Sequence, residues 1–293
     1  MNFRILFAAA LFPLAGHAAT IDATLVATGR GHVQVDDVTG RVHGQSGYFG
    51  SGFGYYADVA DFVSGTGRVA TELSPDGAYG SYYGVSNGIV LARPDQSSTV
   101  IASYDATTGA QIASSDLTQY CGANFSCGFD WGGFSSMNIL QDQTGMYLLG
   151  RSSAATDEWL LSSIDTALNV TEITRFARSG GNDGYGIMIG GTLFLGESFG
   201  SGLITTAYDV LTDTLYDPDL ILSAGSYLSS SFYDQTSDTL YVASGTSGEQ
   251  TWAVTGAADA FGVTSPVPLP AAGWLLIAAI TGTAALRRRR TAA

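Results

Sequence analysis

Asp130 stands beside Trp131, and a carboxylate next to a flat aromatic ring is a common pairing at sugar-handling sites. The pair lies in the stretch QYCGANFSCGFDWGG, which also holds Cys121 and Cys127, the only two cysteines of the chain. In an oxidising compartment these two are expected to close a small loop by a disulfide. An acid beside an aromatic also occurs on any acidic surface, so Asp130 and Trp131 mark a candidate ligand surface and no more. Glycoside cleavage needs two carboxyls at a set separation. Asp and Glu number 26, which offers too many pairs for sequence spacing to select one. The motif GVSNG at 84–88 matches Gly-x-Ser-x-Gly, but that nucleophile turn joins a strand to a helix. Here another apolar strand, GIVLAR, follows, so a hairpin turn is expected at Ser86.

Metal chemistry is equally thin. His32 and His43 lie eleven residues apart and could hold a metal with Asp36 or Asp37 as a third ligand, but without a helical His-x-x-x-His pair they read as solvated or core-edge histidines. No metal site is assigned. Calcium is the one cofactor the sequence leaves open, at Asp209, Asp213, Asp217 and Asp219, although Asp209 and Asp213 also read as turn residues. The stretch SGGNDGYG at 179–186 resembles one calcium-binding turn of an RTX β-roll, whose turns work only in stacks. A single copy reads as a glycine-rich loop. The aromatics of GYFGSGFGYYADVADF at 47–62 would either stack on sugar rings or fill gaps between sheets.

The elements that would position these residues are short apolar strands separated by Gly, Asp, Ser and Thr turns, the pattern of an all-β domain. GMYLLGRS, GTLFLGES and DTLYVASG align from Gly145, Gly191 and Asp238, with Leu148, Phe194 and Tyr241 in matching places. Each is followed by a second strand. GIVLARPD with STVIASYDATTG, and ATLVATGRG with HVQVDDVTG, bring the expected hairpins to five. Their polar turns, such as YDATTG and YDVLTD, suit an Asp that bonds its own backbone. A repeat of 40–50 residues predicts a β-propeller-like domain of about five blades. Val90 to Leu148 is longer than the repeat, and the cysteine loop accounts for the excess.

Charge and termini concern address. All 12 basic residues are arginine, and the body between Thr20 and Pro270 holds 7 of them against all 26 acids. Such a surface repels nucleic acid, which is excluded as a partner. The start, MNFRILFAAALFPLAGHAAT, has an early arginine, an apolar run and then small residues, and it predicts a signal helix cleaved near Ala18 or Ala19. At the other end, VTSPVP is an extended linker. Residues 271–286 are apolar and would span roughly 24 Å as a helix, close to a bilayer core when the preceding residues are added. Arg287, Arg288, Arg289 and Arg290 would stop transfer on the cytoplasmic side. The expected division is a signal peptide at 1–19, an exported propeller-like domain at 20–262, linker and motif at 263–270, a transmembrane helix at 271–286 and an arginine-rich tail at 287–293.

The motif Val267, Pro268, Leu269, Pro270, Ala271, followed by an apolar helix and an arginine cluster, resembles a PEP-CTERM-type sorting signal in its VPLPA variant. The resemblance covers about 24 residues. It implies an exported protein of a Gram-negative bacterium, held in the inner membrane by its tail. An exosortase-type membrane protease would cut near the motif and pass the body to the cell surface or its matrix. The literal Pro-Glu-Pro triplet is absent, so the enzyme would be one matched to VPLPA tails. With this address the expected role is non-enzymatic binding or scaffolding, with extracellular polysaccharide as a partner. The alternative is a glycoside hydrolase or lyase on the same fold.

Overall fold

The computed structural model describes residues 18–45, 54–70, 73, 83–92, 100–117, 138–151, 158–177, 183–197, 201–228, 230–245 and 250–263. All belong to one compact unit that ends at Val263, while Thr264–Ala293 form a second unit that lies outside the described residues. The signal peptide, Cys121, Cys127, Asp130, Trp131, the motif at 267–271, the apolar span and Arg287 to Arg290 therefore fall outside the described residues. None of the described helices is long and apolar enough to cross a membrane.

The chain is a five-bladed β-propeller. Two strands, β1 (Ala19–Asp22) and β2 (Thr24–Thr28), precede the first blade. Blade 1 contains β3 (Gly31–Val35), β4 (Val42–Gln45), β5 (Gly54–Tyr56), the short helix α1 (Val59–Ser64) and β6 (Val69–Ala70). Blade 2 runs through β7 (Gly84–Ser86), β8 (Ile89–Ala92), β9 (Val100–Asp105) and β10 (Gln111–Asp116). Blade 3 runs through β11 (Asn138–Asp142), β12 (Gly145–Arg151), β13 (Glu158–Ile164) and β14 (Val170–Ala177). Blade 4 has β15 (Asp183–Ile189), β16 (Thr192–Glu197) and β17 (Leu203–Asp209), with an outer position shared by β18 (Thr214–Tyr216) and β19 (Leu220–Ser223). Blade 5 has β20 (Ser230–Asp234), β21 (Thr239–Ser244) and β22 (Gln250–Thr255), followed by α2 (Ala257–Ala260).

The ring is closed by the beginning of the chain. β2 pairs antiparallel with β22 as the fourth strand of blade 5, and β1 pairs parallel with β19 on blade 4. This corrects one expected hairpin. ATLVATGRG and HVQVDDVTG are β2 and β3, which lie in different blades; the hairpin in that place in blade 1 is β4 with β5. The repeat alignment also needs a shift of one residue. Asp142 pairs with Gly145, whereas Ile189 pairs with Thr192, so Gly191 is a turn residue and Gly145 is a strand residue. Aligning glycine on glycine slips the register, and a slip of one moves a side chain to the other face. Tyr147, not Leu148, is therefore the counterpart of Phe194 and Tyr241. These three lie 47 residues apart and each packs toward the next blade. The extra length of the second repeat falls between β10 and β11, where the cysteine loop lies in sequence.

Burial follows position in the blade. The middle strands β16 and β21 are buried along nearly their whole length, because blades stack on both faces, while the outer strands β10 and β18 are largely exposed. The apolar clusters lie between blades. Leu140, Leu149, Leu193 and Leu195 join blades 3 and 4, and Phe194, Ile187, Leu240 and Val242 join blades 4 and 5. Burying each such side chain is worth roughly 1.5–3 kcal/mol.

Near the axis the inner strands present backbone edges that no further strand can pair, and side chains satisfy them. Gln141 of β11 meets both polar groups of Val85 in β7. Its Oε1 accepts the Val85 N–H at 2.8 Å, and its Nε2 donates to the Val85 carbonyl at 2.6 Å. The same Nε2 lies 3.2 Å from the Val35 carbonyl of β3. Gln34 Nε2 donates to the Ser231 carbonyl at 3.2 Å, and Ser231 Oγ donates to the Gly186 carbonyl at 2.9 Å. Replacing Gln141 by Leu would bury the Val85 N–H without its partner and strip its carbonyl of one. Each lost partner costs about 1–3 kcal/mol. Gln141→Leu is therefore expected to lower the unfolding free energy by roughly 2–5 kcal/mol in urea titrations, and a loss well under 1 kcal/mol would contradict this role.

Candidate functional site: an acidic axial basin

The first and third strands of each blade run the same way, so their turns gather on one end of the ring. A repeated turn builds that end. Residues 36–40 (DDVTG), 105–109 (DATTG), 209–213 (DVLTD) and 234–238 (DQTSD) each start with Asp and carry Thr or Ser at the fourth place. The fifth residue has positive φ: 70° at Gly40, 73° at Gly109, 53° at Asp213 and 47° at Asp238. The leading Asp accepts the N–H two residues on, as at Asp105 from Thr107 (3.0 Å), Asp209 from Leu211 (2.8 Å) and Asp234 from Thr236 (2.9 Å). This is the backbone-binding Asp expected from YDATTG and YDVLTD. Where Asp occupies the left-handed position, a tyrosine steadies it. Tyr208 Oη donates to Asp213 and Tyr233 Oη to Asp238, at 2.8 and 2.9 Å.

On this end, around the axis, lies a cavity of about 470 Å³. Blade 1 contributes Asp36, Asp37 and Asp58, blade 3 contributes Asp142 and blade 5 contributes Asp234; among the described lining residues there is no Arg or His. Val35, Val59, Phe232 and Tyr233 supply apolar wall, and Gln141 is among the lining residues.

Each of the five carboxylates is engaged by the scaffold. Asp36, 1% exposed, accepts Val38 N–H (3.0 Å), Thr39 N–H (3.2 Å) and Asn87 N–H (3.0 Å) on Oδ1, and Gly88 N–H (2.7 Å) on Oδ2. Asp37 accepts Ser86 Oγ–H at 2.9 Å. Asp142 accepts Thr144 N–H at 2.7 Å on one oxygen and Gly191 N–H of the next blade at 2.8 Å on the other. Asp58 caps α1 through Asp61 N–H, and Asp234 takes Ser237 Oγ–H at 2.7 Å besides its turn amide. Burial works to raise the Asp36 carboxyl, but the amides of Val38, Gly88 and Thr39 outweigh it and hold the group below the usual carboxylate range. Asp105 and Asp165 are also held low, chiefly by hydrogen bonds from Thr108 and Asn169 in their own turns. A general acid needs its carboxyl shifted the other way.

The remaining sequence candidates fall into structural roles. Ser86 ends β7, and Asn87 (φ 52°) with Gly88 (φ 72°) forms a two-residue hairpin turn into β8, as expected from GIVLAR. Tyr56 and Phe62 pack edge-to-face at 5.4 Å in the cluster between blades 5 and 1, which is the gap-filling alternative for these two aromatics, while residues 47–53 of the stretch lie outside the described residues. Helix α1 in that stretch is not expected from the apolar pattern. Its signals are the capping Asp58 and Gly65, whose φ of 75° ends the helix. Asp183–Ile189 of SGGNDGYG and beyond form a strand. Asp217 accepts the Asp219 N–H at 2.9 Å, so this end of the calcium candidate is also turn chemistry. Groups of three or more metal-binding side chains are absent among the described residues. Gln141 was legible only as a polar residue inside an apolar strand, while Asp36 and Asp142 read as turn residues.

No family model matches the chain. Among solved structures it resembles the computationally designed Ika8 protein, at 14% identity and a TM-score of 0.37 over 76% of this chain and 57% of that one. It also resembles a structural genomics protein of unknown function from Bacteroides thetaiotaomicron, at 10% identity and a TM-score of 0.47 over 76% of this chain and 58% of that one. The chain thus spans somewhat over half the length of these structures.

His43 is a buried histidine whose titration is displaced. It lies in β4, 1% exposed, with its ring 5.8 Å from that of Tyr55. Desolvation lowers its pKa from 6.5 to about 4, against an opposing pull from Asp36 and with a further lowering from Arg41. The folded chain holds it neutral, so between those values the unfolded chain binds the extra proton. Its stabilising contribution is complete above about pH 6.5 and is lost as pH falls toward 4. The difference amounts to about 3 kcal/mol. Urea midpoints are expected to drop across this interval in the wild type and to drop less in His43→Phe; equal slopes would contradict the assignment.

Proposed function

We propose that this chain is an exported surface or matrix protein whose propeller binds or scaffolds and does not catalyse. The single observation that carries the non-catalytic part is the engagement of all five basin carboxylates in closing turns and joining blades. An acid that holds a ring together cannot be released for proton transfer without loosening the ring. Turn-rich, charge-poor β composition and a strongly anionic body suit a soluble module outside the cell. The basin, with carboxylates above apolar walls, is a site for a hydroxyl-bearing or cationic group presented by a polymer, such as an extracellular polysaccharide.

The termini support the address. The leader of residues 1–19 directs export. The VPLPA motif, apolar span and Arg287 to Arg290 hold the precursor in the inner membrane of a Gram-negative cell until an exosortase-type protease cuts near the motif. The first strand starts at Ala19, so cleavage after Ala18 leaves it whole. Mass spectrometry of material released from the surface is expected to find a C-terminus between residues 267 and 271, and finding the four arginines retained would overturn the sorting reading. Incubation of the purified protein with bacterial polysaccharides is expected to give retention without new chain ends. Release of reducing or unsaturated ends would favour a glycosidase or lyase instead.

A further inference from the structure

Among the described residues, the seam between blades 1 and 2 is built differently from the other four. The clusters of buried apolar side chains across seams 2–3, 3–4, 4–5 and 5–1 each contain residues from both blades. The cluster on the blade 2 side of seam 1–2 contains Val85, Val90, Ala92, Ala102 and Tyr104, with Leu73 and Tyr83 from the preceding connection. Among the described residues, no strand residue of blade 1 belongs to it. Blade 1 turns Val42 and Tyr56 toward blade 5, and strand alternation then puts His43 and Tyr55 on the side of blade 2.

Polar contacts hold this seam. The Asp36 carboxylate takes the Asn87 and Gly88 amides, Asp37 takes the Ser86 hydroxyl, and Tyr83 Oη donates to the His43 carbonyl at 3.0 Å. We propose that seam 1–2 is an acid-opened joint, through which the ring loosens at blade 1 while the other four seams stay packed. Two groups drive it. As pH falls toward 4, protonating His43 places a charge on a buried ring at the seam, and at still lower pH protonating Asp36, whose carboxyl is held low, removes acceptor capacity from an oxygen that serves backbone amides.

The charged and titratable groups around them are consistent with this. Asp37 and Arg41 flank Asp36 and His43 on blade 1, and Arg41 also lies over the Tyr55 ring at 4.7 Å. Asp58 at α1, Asp142 of blade 3 and Asp234 of blade 5 face Asp36 across the basin. On blade 2, the turn that meets Asp36 carries no charge; the described titratable groups on that side include Tyr83 and Asp105, the latter beside Ala106, whose N–H bonds the Gly88 carbonyl at 2.8 Å. The latch on the Asp36 carboxylate is made of neutral amides. The Asp142 latch to Gly191 is chemically similar, but it sits over the apolar cluster of seam 3–4.

Residue-resolved hydrogen exchange on the purified full-length chain tests this, with rates corrected for the intrinsic effect of pH. Between pH 7 and pH 4 the protection of the Asn87 and Gly88 amides is expected to fall at least tenfold while that of Gly191 is retained. Asp36→Asn is expected to produce the same loss at pH 7, and Asp142→Asn is expected to leave Asn87 and Gly88 protected. Retained protection of Asn87 and Gly88 at pH 4 would overturn the proposal. So would an equal loss in every blade, which is global unfolding. The wild-type pH comparison decides the matter even where a variant does not fold.

Discussion

Five strands converge on one axis, and each brings a backbone edge that the sheet cannot use. In an open sheet such an edge faces water or another strand. Here it faces four similar edges in a space too narrow for a sixth strand, so side chains must complete the hydrogen bonding. Gln141 does this by imitating a peptide: its amide offers Val85 one acceptor and one donor, as a neighbouring strand would. Gln34 and Ser231 link blades 1, 5 and 4 by the same logic, using one contact each. The apolar clusters between blades provide most of the burial, but they are greasy on both sides and set no rotation about the axis. The polar contacts at the centre and at the turns fix which blade meets which, and at what height.

The acidity of the body has a structural origin in the same design. Asp36, Asp105, Asp142, Asp165, Asp209 and Asp234 each accept a backbone N–H two residues further on. Four of these turns repeat one pattern, and its left-handed fifth residue is Gly in two cases and Asp in the other two. Because the first and third strands of every blade end on the same side, the turn acids collect there. A ring that folds with Asp-led turns thus presents one anionic end, before any ligand is considered. That end can attract cations or hydroxyl-rich polymers, but its carboxylates are fixed by the turns they close. At the seam between blades 1 and 2, carboxylates hold the blades where, among the described residues, no apolar cluster is shared by strands of both.

Much of the fold was legible because strands, turns and a 47-residue period are local signals. Tyr147, Phe194 and Tyr241 are evenly spaced, and only a glycine that serves as strand in one blade and turn in another hid the register. Ring closure was not legible, because nothing in ATLVATGRG distinguishes a strand that pairs with its successor from one that pairs with β22 over two hundred residues away. The basin was invisible for the same reason. Asp36, Asp142 and Asp234 are neighbours only once the ring exists, and each reads in sequence as a turn residue of its own hairpin. Gln141 gave a fainter sign, a buried amide in the apolar strand NILQD, but sequence alone cannot say whose edge it completes.

The amide of Val85 offers the most direct view of the axis. It belongs to a three-residue inner strand and bonds to a side chain of the neighbouring blade. If Gln141 holds that edge, hydrogen exchange at Val85 near neutral pH will be as slow as at the buried amides of the middle strands. Exchange at Val85 as fast as at solvent-facing amides of the outermost strands would mean that the centre of the ring is open and that the latches do not close it.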